Sequence, residues 1–352
     1  MKRKRLAIMG STGSIGRCVV DIVRKNPEDF EITGLSCYEN ITELAGHIKE
    51  FGVKHVCVST KSKANDLISL LSVKEPVRLD DLNICVGPEG LLELLSDNID
   101  LAVNCLPGMF GVEVTKYALK HGIDVALANK EALVAEGSEI MKLAEENDAK
   151  ILPIDSEMCA IAYCLQGRSI EDVKKVVLTC SGGPFLGKKR RELYDVTLED
   201  ALRHPTWPNM GQKISIDSAT LMNKGFEVIE ASYLFGLPPE KIEIVIHPQS
   251  LVHGIVYFKD GNVLMHAASP DMRIPISHCL YAPEVKESPF EILDLVKAKK
   301  LEFFEPDTET FTNIPAAYNA LRTGTTKQLL EDNDSRVEKF LAGEIQFIEL
   351  FQ

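Results

Sequence analysis

The segment Leu6-Ala7-Ile8-Met9-Gly10-Ser11-Thr12-Gly13-Ser14-Ile15-Gly16 passes from four apolar residues into a glycine-studded turn. Beyond it, Val19, Val20, Ile22 and Val23 recur with helical spacing, so the unit reads as strand, tight turn, helix. Glycines let backbone N–H groups approach a pyrophosphate, and a helix N-terminus favours its negative charge. The G-x-x-G-x-x-G spacing differs from the usual dinucleotide fingerprint, and alone it could be a bare turn. Its position at the head of an alternating series gives it weight.

That series continues with expected strands at Glu31–Ser36, His55–Ser59, Ile84–Gly87, Ile99–Asn104, Ile123–Ala128 and Ile151–Ile154. Helices are expected from Thr42 to Phe51, from Val112 to His121 with Gly122 ending it, and from Ala132 to Glu146. Alternation of this kind implies a doubly wound parallel sheet with ligands at the C-terminal ends of its strands. At the second strand end, Cys37-Tyr38-Glu39-Asn40 offers an acidic residue suited to ribose hydroxyls, while Lys61 and Lys63 could supply positive charge for an extra phosphate. Asn129-Lys130-Glu131 fits either cofactor and substrate contacts or an ordinary helix start. Asp155-Ser156-Glu157 follows the last strand. Two carboxylates at i and i+2 of a strand end share a face and would need a cation, although Asp155 could equally cap the next helix.

Beyond Glu157 the alternation stops. A β-rich run, Val173–Thr179, leads to Ser181-Gly182-Gly183-Pro184-Phe185, which suits an anion-binding nest or a plain turn. The cluster Lys188-Lys189-Arg190-Arg191 reads as a solvated loop. His204-Pro205-Thr206-Trp207-Pro208-Asn209-Met210-Gly211 has no regular period; Trp207 could cover a ligand or simply pack on the surface. In Asp217–Gly236, Met222, Phe226, Ile229 and Tyr233 form the buried stripe of a helix, with Thr220, Asn223 and Glu227 on the neighbouring stripe. Gly225 inside that helix costs about 1 kcal/mol relative to alanine, which a close ligand or helix packing would explain. Ile242–His247, Val252–Lys259 and Val263–Ala267 suggest a mixed or antiparallel sheet with a hairpin at Asp260-Gly261. From Pro289 onward the pattern is mainly helical, with Ile292, Leu293 and Val296 as a stripe.

The 352 residues allow two or three domains, and 45% hydrophobic with 26% charged residues is ordinary for a globular protein. A net charge of −13 argues against general nucleic-acid binding. No apolar run reaches membrane-span length, and the basic start with its short apolar run makes no signal-peptide core, so a cytoplasmic protein is expected. Nine cysteines without a C-x-x-C pair read as reduced packing residues, Cys105 and Cys180 included.

The motifs GSTGSIG at 10–16, ANKEALV at 128–134, DSE at 155–157, SGGPF at 181–185, DSATLMNKGFE at 217–227, HPQS at 247–250 and PDMR at 270–273 together resemble the 1-deoxy-D-xylulose 5-phosphate reductoisomerase family. The resemblance runs from residue 6 to about 280. It implies an α/β protein: a Rossmann-like NADP-binding domain (1–150), an α+β catalytic domain with a mixed sheet (151–285, lid loop 183–211) and a shortened C-terminal helical region (286–352). The implied activity is conversion of 1-deoxy-D-xylulose 5-phosphate to 2-C-methyl-D-erythritol 4-phosphate in non-mevalonate isoprenoid synthesis, using NADPH and Mg²⁺, Mn²⁺ or Co²⁺, by a cytoplasmic homodimer. By the same likeness Thr12, Gly13, Ser14, Ile15, Asn40, Asn129, Glu131 and Gly211 would bind cofactor, and Asp155, Glu157 and Glu227 the metal. Lys130, Ser156, Glu157, Ser181, His204, Ser218, Asn223, Lys224 and Glu227 would hold substrate, with Lys130, Asp155, Glu157, His204 and Glu227 catalytic. Trp207 and Met210 would belong to the closing loop, and His247 and Met272 to the site's edge. The chain departs from the family pattern at Glu39, Met158-Cys159, an added Pro208 and the segment 330–334, and no site is carried beyond Arg273. The competing reading is a metal-independent dehydrogenase of the semialdehyde or homoserine type.

Overall fold

The alternating apolar runs become β1 (Lys4–Met9), β2 (Phe30–Cys37), β3 (His55–Val58), β4 (Asn83–Val86), β5 (Leu101–Asn104), β6 (Val125–Leu127) and β7 (Ile151–Pro153). They form one parallel sheet in the order β4-β3-β2-β1-β5-β6-β7. The chain therefore builds outward from β1 to β4 and returns to the other side of β1, making the end of β1 the switch point where such sheets bind ligands. Leu6, Ala7, Ile8 and Met9 are fully buried, as a central strand covered on both faces requires. The computed structural model describes residues 3–72, 79–95, 99–207 and 210–351, so the expected insertion at Pro208 lies outside the described residues.

Two compact units result. The first comprises Met1–Ala132, Ser138–Ile154 and Pro275–Glu287; the second comprises Leu133–Gly137, Asp155–Ile274 and Ser288–Gln352. In the second unit β8 (Val173–Cys180), β9 (Ile242–Ile246), β10 (Val252–Phe258) and β11 (Val263–Ala267) form a sheet in the order β11-β10-β8-β9. It is mixed: β8 and β9 run parallel, while β10 is antiparallel to β8 and to β11. Helices Ser156–Leu165, Gln212–Ala219, Met222–Phe235, Asn313–Thr323 and Thr326–Leu341 complete this unit.

Two expectations change. The helix read from Asp217 onward is two helices, broken at Thr220-Leu221, where Leu221 adopts φ 59°. The stripe of Ile292 and Val296 is not buried: these residues are 80% and 85% exposed, and only the single turn Leu295–Ala298 is helical there. Residues 288–352 belong to the body of the second unit, supplying Phe311, Ile314, Val337, Phe340, Phe347, Leu350 and Phe351 to its core. Among the described residues no helix is long and apolar enough to cross a membrane.

Candidate active site

At the end of β1 the glycine turn is fixed by neighbouring strands. Gly10 N–H donates to Ser36 Oγ (2.9 Å) and Ser11 N–H to the Ser36 carbonyl (2.9 Å). A Cβ on Gly16 would lie 2.1 Å from the Gly10 carbonyl oxygen, so only glycine lets helix Ser14–Lys25 start this close to the strand. No side chain caps that helix at Gly13, which leaves its first amides suited to an anion. At the end of β2, Glu39 pairs with Lys63 at 2.7 Å, while Asn40 caps helix Ile41–Phe51 through Glu43 N–H. After β6, Asn129 caps helix Lys130–Glu146, and its amide donates to the Leu106 and Gly108 carbonyls and to Glu131. Asn129 is thus both the helix cap and a tie between loops, with its side chain fully engaged. These cofactor candidates and Lys130 lie in the first unit, Gly211 in the second.

The metal candidates converge in the second unit, where Asp155 takes the helix-capping alternative rather than the strand end. β7 ends at Pro153, and Asp155 caps helix Ser156–Leu165, accepting from Glu157 N–H at a long 3.4 Å. The two carboxylates are therefore brought together by a helix start rather than by a strand face. Glu227 arrives from helix Met222–Phe235, and carboxylate oxygens of Asp155, Glu157 and Glu227 all lie within 4.8 Å of one another. Between them sits the Lys224 ammonium, 3% exposed, donating to Glu157 Oε1 (2.7 Å) and to Glu227 Oε2. Asn223 Nδ2 donates to Glu227 Oε1 (2.6 Å), and Ser156 Oγ to Glu157 Oε2 (2.5 Å). Burial opposes charge on Glu157, yet Lys224 and hydrogen bonds from the Asp155 and Ser156 neighbourhood hold its carboxyl below the usual range. Burial likewise opposes charge on Lys224, and Glu157 and Glu227 overcome it. Three carboxylates and one ammonium leave two negative charges, which one divalent cation neutralises. Hard oxygen donors of this kind suit Mg²⁺ or Mn²⁺.

The remaining substrate candidates surround the helix break and the loop after β8. His204 Nδ1 accepts from Thr206 N–H (3.1 Å) and Trp207 N–H (2.9 Å), so the proton is assigned to Nε2, which faces Ser181 Oγ at 3.3 Å. Ser181 Oγ also accepts from Gly183 N–H (3.1 Å). That amide is committed, so the serine hydroxyl rather than an open nest is the polar group this turn presents. Gly183, at φ 68°, seats against the next loop: a Cβ there would lie 2.8 Å from the Ser218 carbonyl oxygen. Ser218 and Asn223 are partly exposed on either side of the break. His247 is fully buried, its Nδ1 2.8 Å from the Glu302 carbonyl oxygen and its ring stacked on Phe303. Trp207, Met210 and Met272 are partly buried in this unit. Met158 and Cys159 are core residues of their helix, and Lys188–Arg191 form an exposed turn.

Burial pushes His204 and His253 from the ordinary 6.5 down to about 4. Between these values the unfolded imidazoles take up protons that the folded ones refuse, so stability rises with pH in that window. Their contribution is complete above about pH 6.5 and is lost as pH falls toward 4. Thermal melts at pH 7.5, 5.5 and 4.5 should show a progressive fall, shallower in His204→Gln; identical melting temperatures across the three would contradict the assignment.

Family models match most of the chain. One described as 1-deoxy-D-xylulose 5-phosphate reductoisomerase covers residues 6–137, and its C-terminal domain model covers 151–235. A third, described as DXP reductoisomerase C-terminal domain, covers 267–352, extending the likeness past the point at which the motifs thin out. The 1-deoxy-D-xylulose 5-phosphate reductoisomerase of Caldanaerobacter subterraneus subsp. tengcongensis is 45% identical over 99% of this chain and 90% of its own length. The protein of that name from Clostridium tetani is 43% identical over the same shares. A crystal structure of DOX-P reductoisomerase with NADPH, fosmidomycin and magnesium superposes with a TM-score of 0.92 at 38% identity, covering 99% of this chain and 87% of that one. The Zymomonas mobilis enzyme in complex with NADPH gives 0.90 at 35% identity, over 99% and 89%.

Proposed function

The chain belongs to the 1-deoxy-D-xylulose 5-phosphate reductoisomerase family, and from that premise we propose that it converts 1-deoxy-D-xylulose 5-phosphate to 2-C-methyl-D-erythritol 4-phosphate with NADPH and a divalent cation. This is a step of non-mevalonate isoprenoid synthesis. The observation that carries the reading is the Asp155, Glu157, Glu227 cluster around a buried Lys224, two charges short of neutrality. When bound there, a divalent metal supplies Lewis-acid polarisation of a ketone and its neighbouring hydroxyl, and NADPH supplies the hydride.

The chain's own groups prepare that chemistry. Lys224 holds the Glu157 carboxyl below the usual range and fixes the orientation of Glu157 and Glu227, so the donors need not reorganise when substrate arrives. Ser218 and Asn223 flank the break between two helices, where a phosphate would meet donors from both. Ser181 and neutral His204 add a hydroxyl and an Nε2–H. His204 thus contributes a hydrogen bond and no charge. Lys130, at the first position of its helix, is assigned to substrate contact and Gly211 to the cofactor. We assign the pyrophosphate to the uncapped start of helix Ser14–Lys25, through Thr12, Gly13, Ser14 and Ile15, and further contacts to Asn40 and Glu131. The enzyme is assigned to the reducing cytoplasm, consistent with its nine free cysteines, and to a homodimer. Edge strand β11, with Val263 and Met265 44% and 53% exposed, is a surface such pairing could use.

Nicotinamide oxidation and product formation with 1-deoxy-D-xylulose 5-phosphate, in Mg²⁺ or Mn²⁺ and then in EDTA, test the reading. Metal-dependent turnover is expected; turnover indifferent to EDTA would sink it. The same assay decides the role of Glu39. Its pairing with Lys63 occupies the cation that would otherwise meet the extra phosphate of NADPH. Glu39→Gln should raise the NADPH-over-NADH ratio about 2- to 5-fold, the scale of an exposed ion pair, and Lys63→Ala should lower it. A ratio unmoved by both places the extra phosphate elsewhere.

A further inference from the structure

Helix Thr326–Leu341 buries Leu329, Leu330, Val337 and Phe340, and the same face carries Asn333, only 1% exposed. A buried amide in an apolar row is costly unless its groups are satisfied. Its Nδ2 donates to Asp217 Oδ1 at 2.8 Å. Asp217 is itself 3% exposed and takes the Lys213 ammonium on its other oxygen at 2.9 Å. Lys213 also pairs with Asp334 at 3.1 Å, so two adjacent residues of the C-terminal helix grip the helix Gln212–Ala219. On the far side of Ser218, the fully buried Asn313 reaches the Thr220 carbonyl at 3.5 Å and the Leu350 carbonyl at 3.4 Å.

We propose that Asn333, assisted by Asn313, is a positioning residue that acts through Asp217 to hold Ser218 where the substrate's phosphate docks. The inference rests on the phosphosugar reading above. Ser218 stands between two anchored neighbours: the side chain one residue before it and the carbonyl two residues after it. The other phosphate-side elements, the Ser-Gly-Gly turn and the start of helix Met222–Phe235, rest on the same segment. Phe185, closing the Ser-Gly-Gly turn, packs edge-on against Phe347 with ring centroids 4.9 Å apart. A Cβ on Gly225 would lie 2.7 Å from Ala317 Cβ and 3.3 Å from the Asn313 carbonyl oxygen, so that helix is glycine at this point because a C-terminal helix lies against it. Residues 313–351 therefore back the Ser-Gly-Gly turn and both sides of the helix break, but the Asn333 amide itself bonds to helix Gln212–Ala219, whereas Asp155, Glu157 and Glu227 sit at the start of helix Ser156–Leu165 and on helix Met222–Phe235. Losing the Asn333 amide strands one oxygen of a buried carboxylate. The last turn of helix Gln212–Ala219 then loosens, and the phosphate end of the site suffers before the metal end does.

The test uses the full chain. Asn333→Ala should raise KM for 1-deoxy-D-xylulose 5-phosphate on the order of 10-fold, leaving kcat within about 3-fold and the NADPH KM and Mg²⁺ affinity unchanged. Asn333→Asp, which sets two carboxylates face to face, should raise KM further. The double variant Asp217→Asn with Asn333→Asp restores a donor and an acceptor in reversed order and should recover most of the loss. Asn333→Ser, too short to reach Asp217, carries the same expectation if Asn333→Asp does not fold. A folded Asn333→Ala or Asn333→Ser variant with unchanged substrate KM overturns the proposal. So does a parallel decline of substrate, cofactor and metal parameters, or a double variant no better than its singles. Wild-type turnover tests the functional reading separately. If it is absent, amide exchange in the ligand-free protein still decides the brace. The N–H groups of Thr220 and Leu221, bonded to the Ile216 and Ser218 carbonyls, should exchange at least about 10-fold faster in Asn333→Ala, and equal rates refute it.

Discussion

Glu227→Gln is expected to lower turnover by on the order of 10³-fold and to weaken Mg²⁺ binding markedly, with NADPH affinity unchanged. The substitution is nearly isosteric, so its effect isolates charge and acceptor count. Glu227 receives Asn223 Nδ2 on one oxygen and the Lys224 ammonium on the other. An amide offers one acceptor oxygen. Whichever donor keeps it, the other meets an NH₂ group, and for Lys224 that contact is repulsive. The cluster's net charge falls from two negative to one, and a donor to the divalent cation is lost. The glycine turn lies in the other unit and shares no residue with this cluster, which is why cofactor affinity should stand. Calorimetric Mg²⁺ titration, nicotinamide fluorescence titration and steady-state rates at saturating metal check the three parts. Full activity at saturating Mg²⁺ would remove Glu227 from the site.

The parts of this molecule that could be read in advance are those whose signal is local. Period-two and period-3.6 apolar patterns foretold the parallel sheet and the stripe Met222, Phe226, Ile229, because burial acts on each element separately. The break at Thr220-Leu221 was not foretold: the apolar spacing continues across it, and a positive φ at a leucine leaves no mark in the residue types. The carboxylate trio was legible as a set only through the family resemblance, and the residues alone leave its construction open between a strand end and a helix cap. Asp155 both caps a helix and faces Glu227, so the two readings of that residue were never exclusive. Asn129 shows the same economy at the mouth of the other sheet. The apolar residues around Ile292 misled because a helical pattern of alternating type, without a partner surface, says nothing about burial. Asn333 was missed for the opposite reason. Its only signal is a polar residue inside the stripe Leu329, Leu330, Val337, Phe340, and its partner lies 116 residues away.

Lys224→Gln should separate metal affinity from catalysis, strengthening one and collapsing the other. In the metal-free protein the ammonium is the counter-ion of Glu157 and Glu227, all three groups being largely out of water. Removing one member of a buried ion network typically costs about 3–5 kcal/mol, because the stranded carboxylates repel one another. The metal-free variant should therefore melt well below the parent. Added Mg²⁺ replaces the missing charge, so the gap between the two melting temperatures should narrow as the cation is titrated in. Mg²⁺ affinity should rise on the order of 10-fold, since the cluster goes from two net negative charges to three. Turnover should nevertheless fall by roughly 100-fold or more, because a cation alone cannot hold Glu157 and Glu227 in the orientation the ammonium imposes through two directed hydrogen bonds. If metal affinity and turnover fell together, Lys224 would be acting as a structural residue whose loss disorders the cluster. If both were unchanged, the ammonium would be a bystander. Only the opposed movement of the two quantities identifies Lys224 as the group that aligns the carboxylates for the reaction.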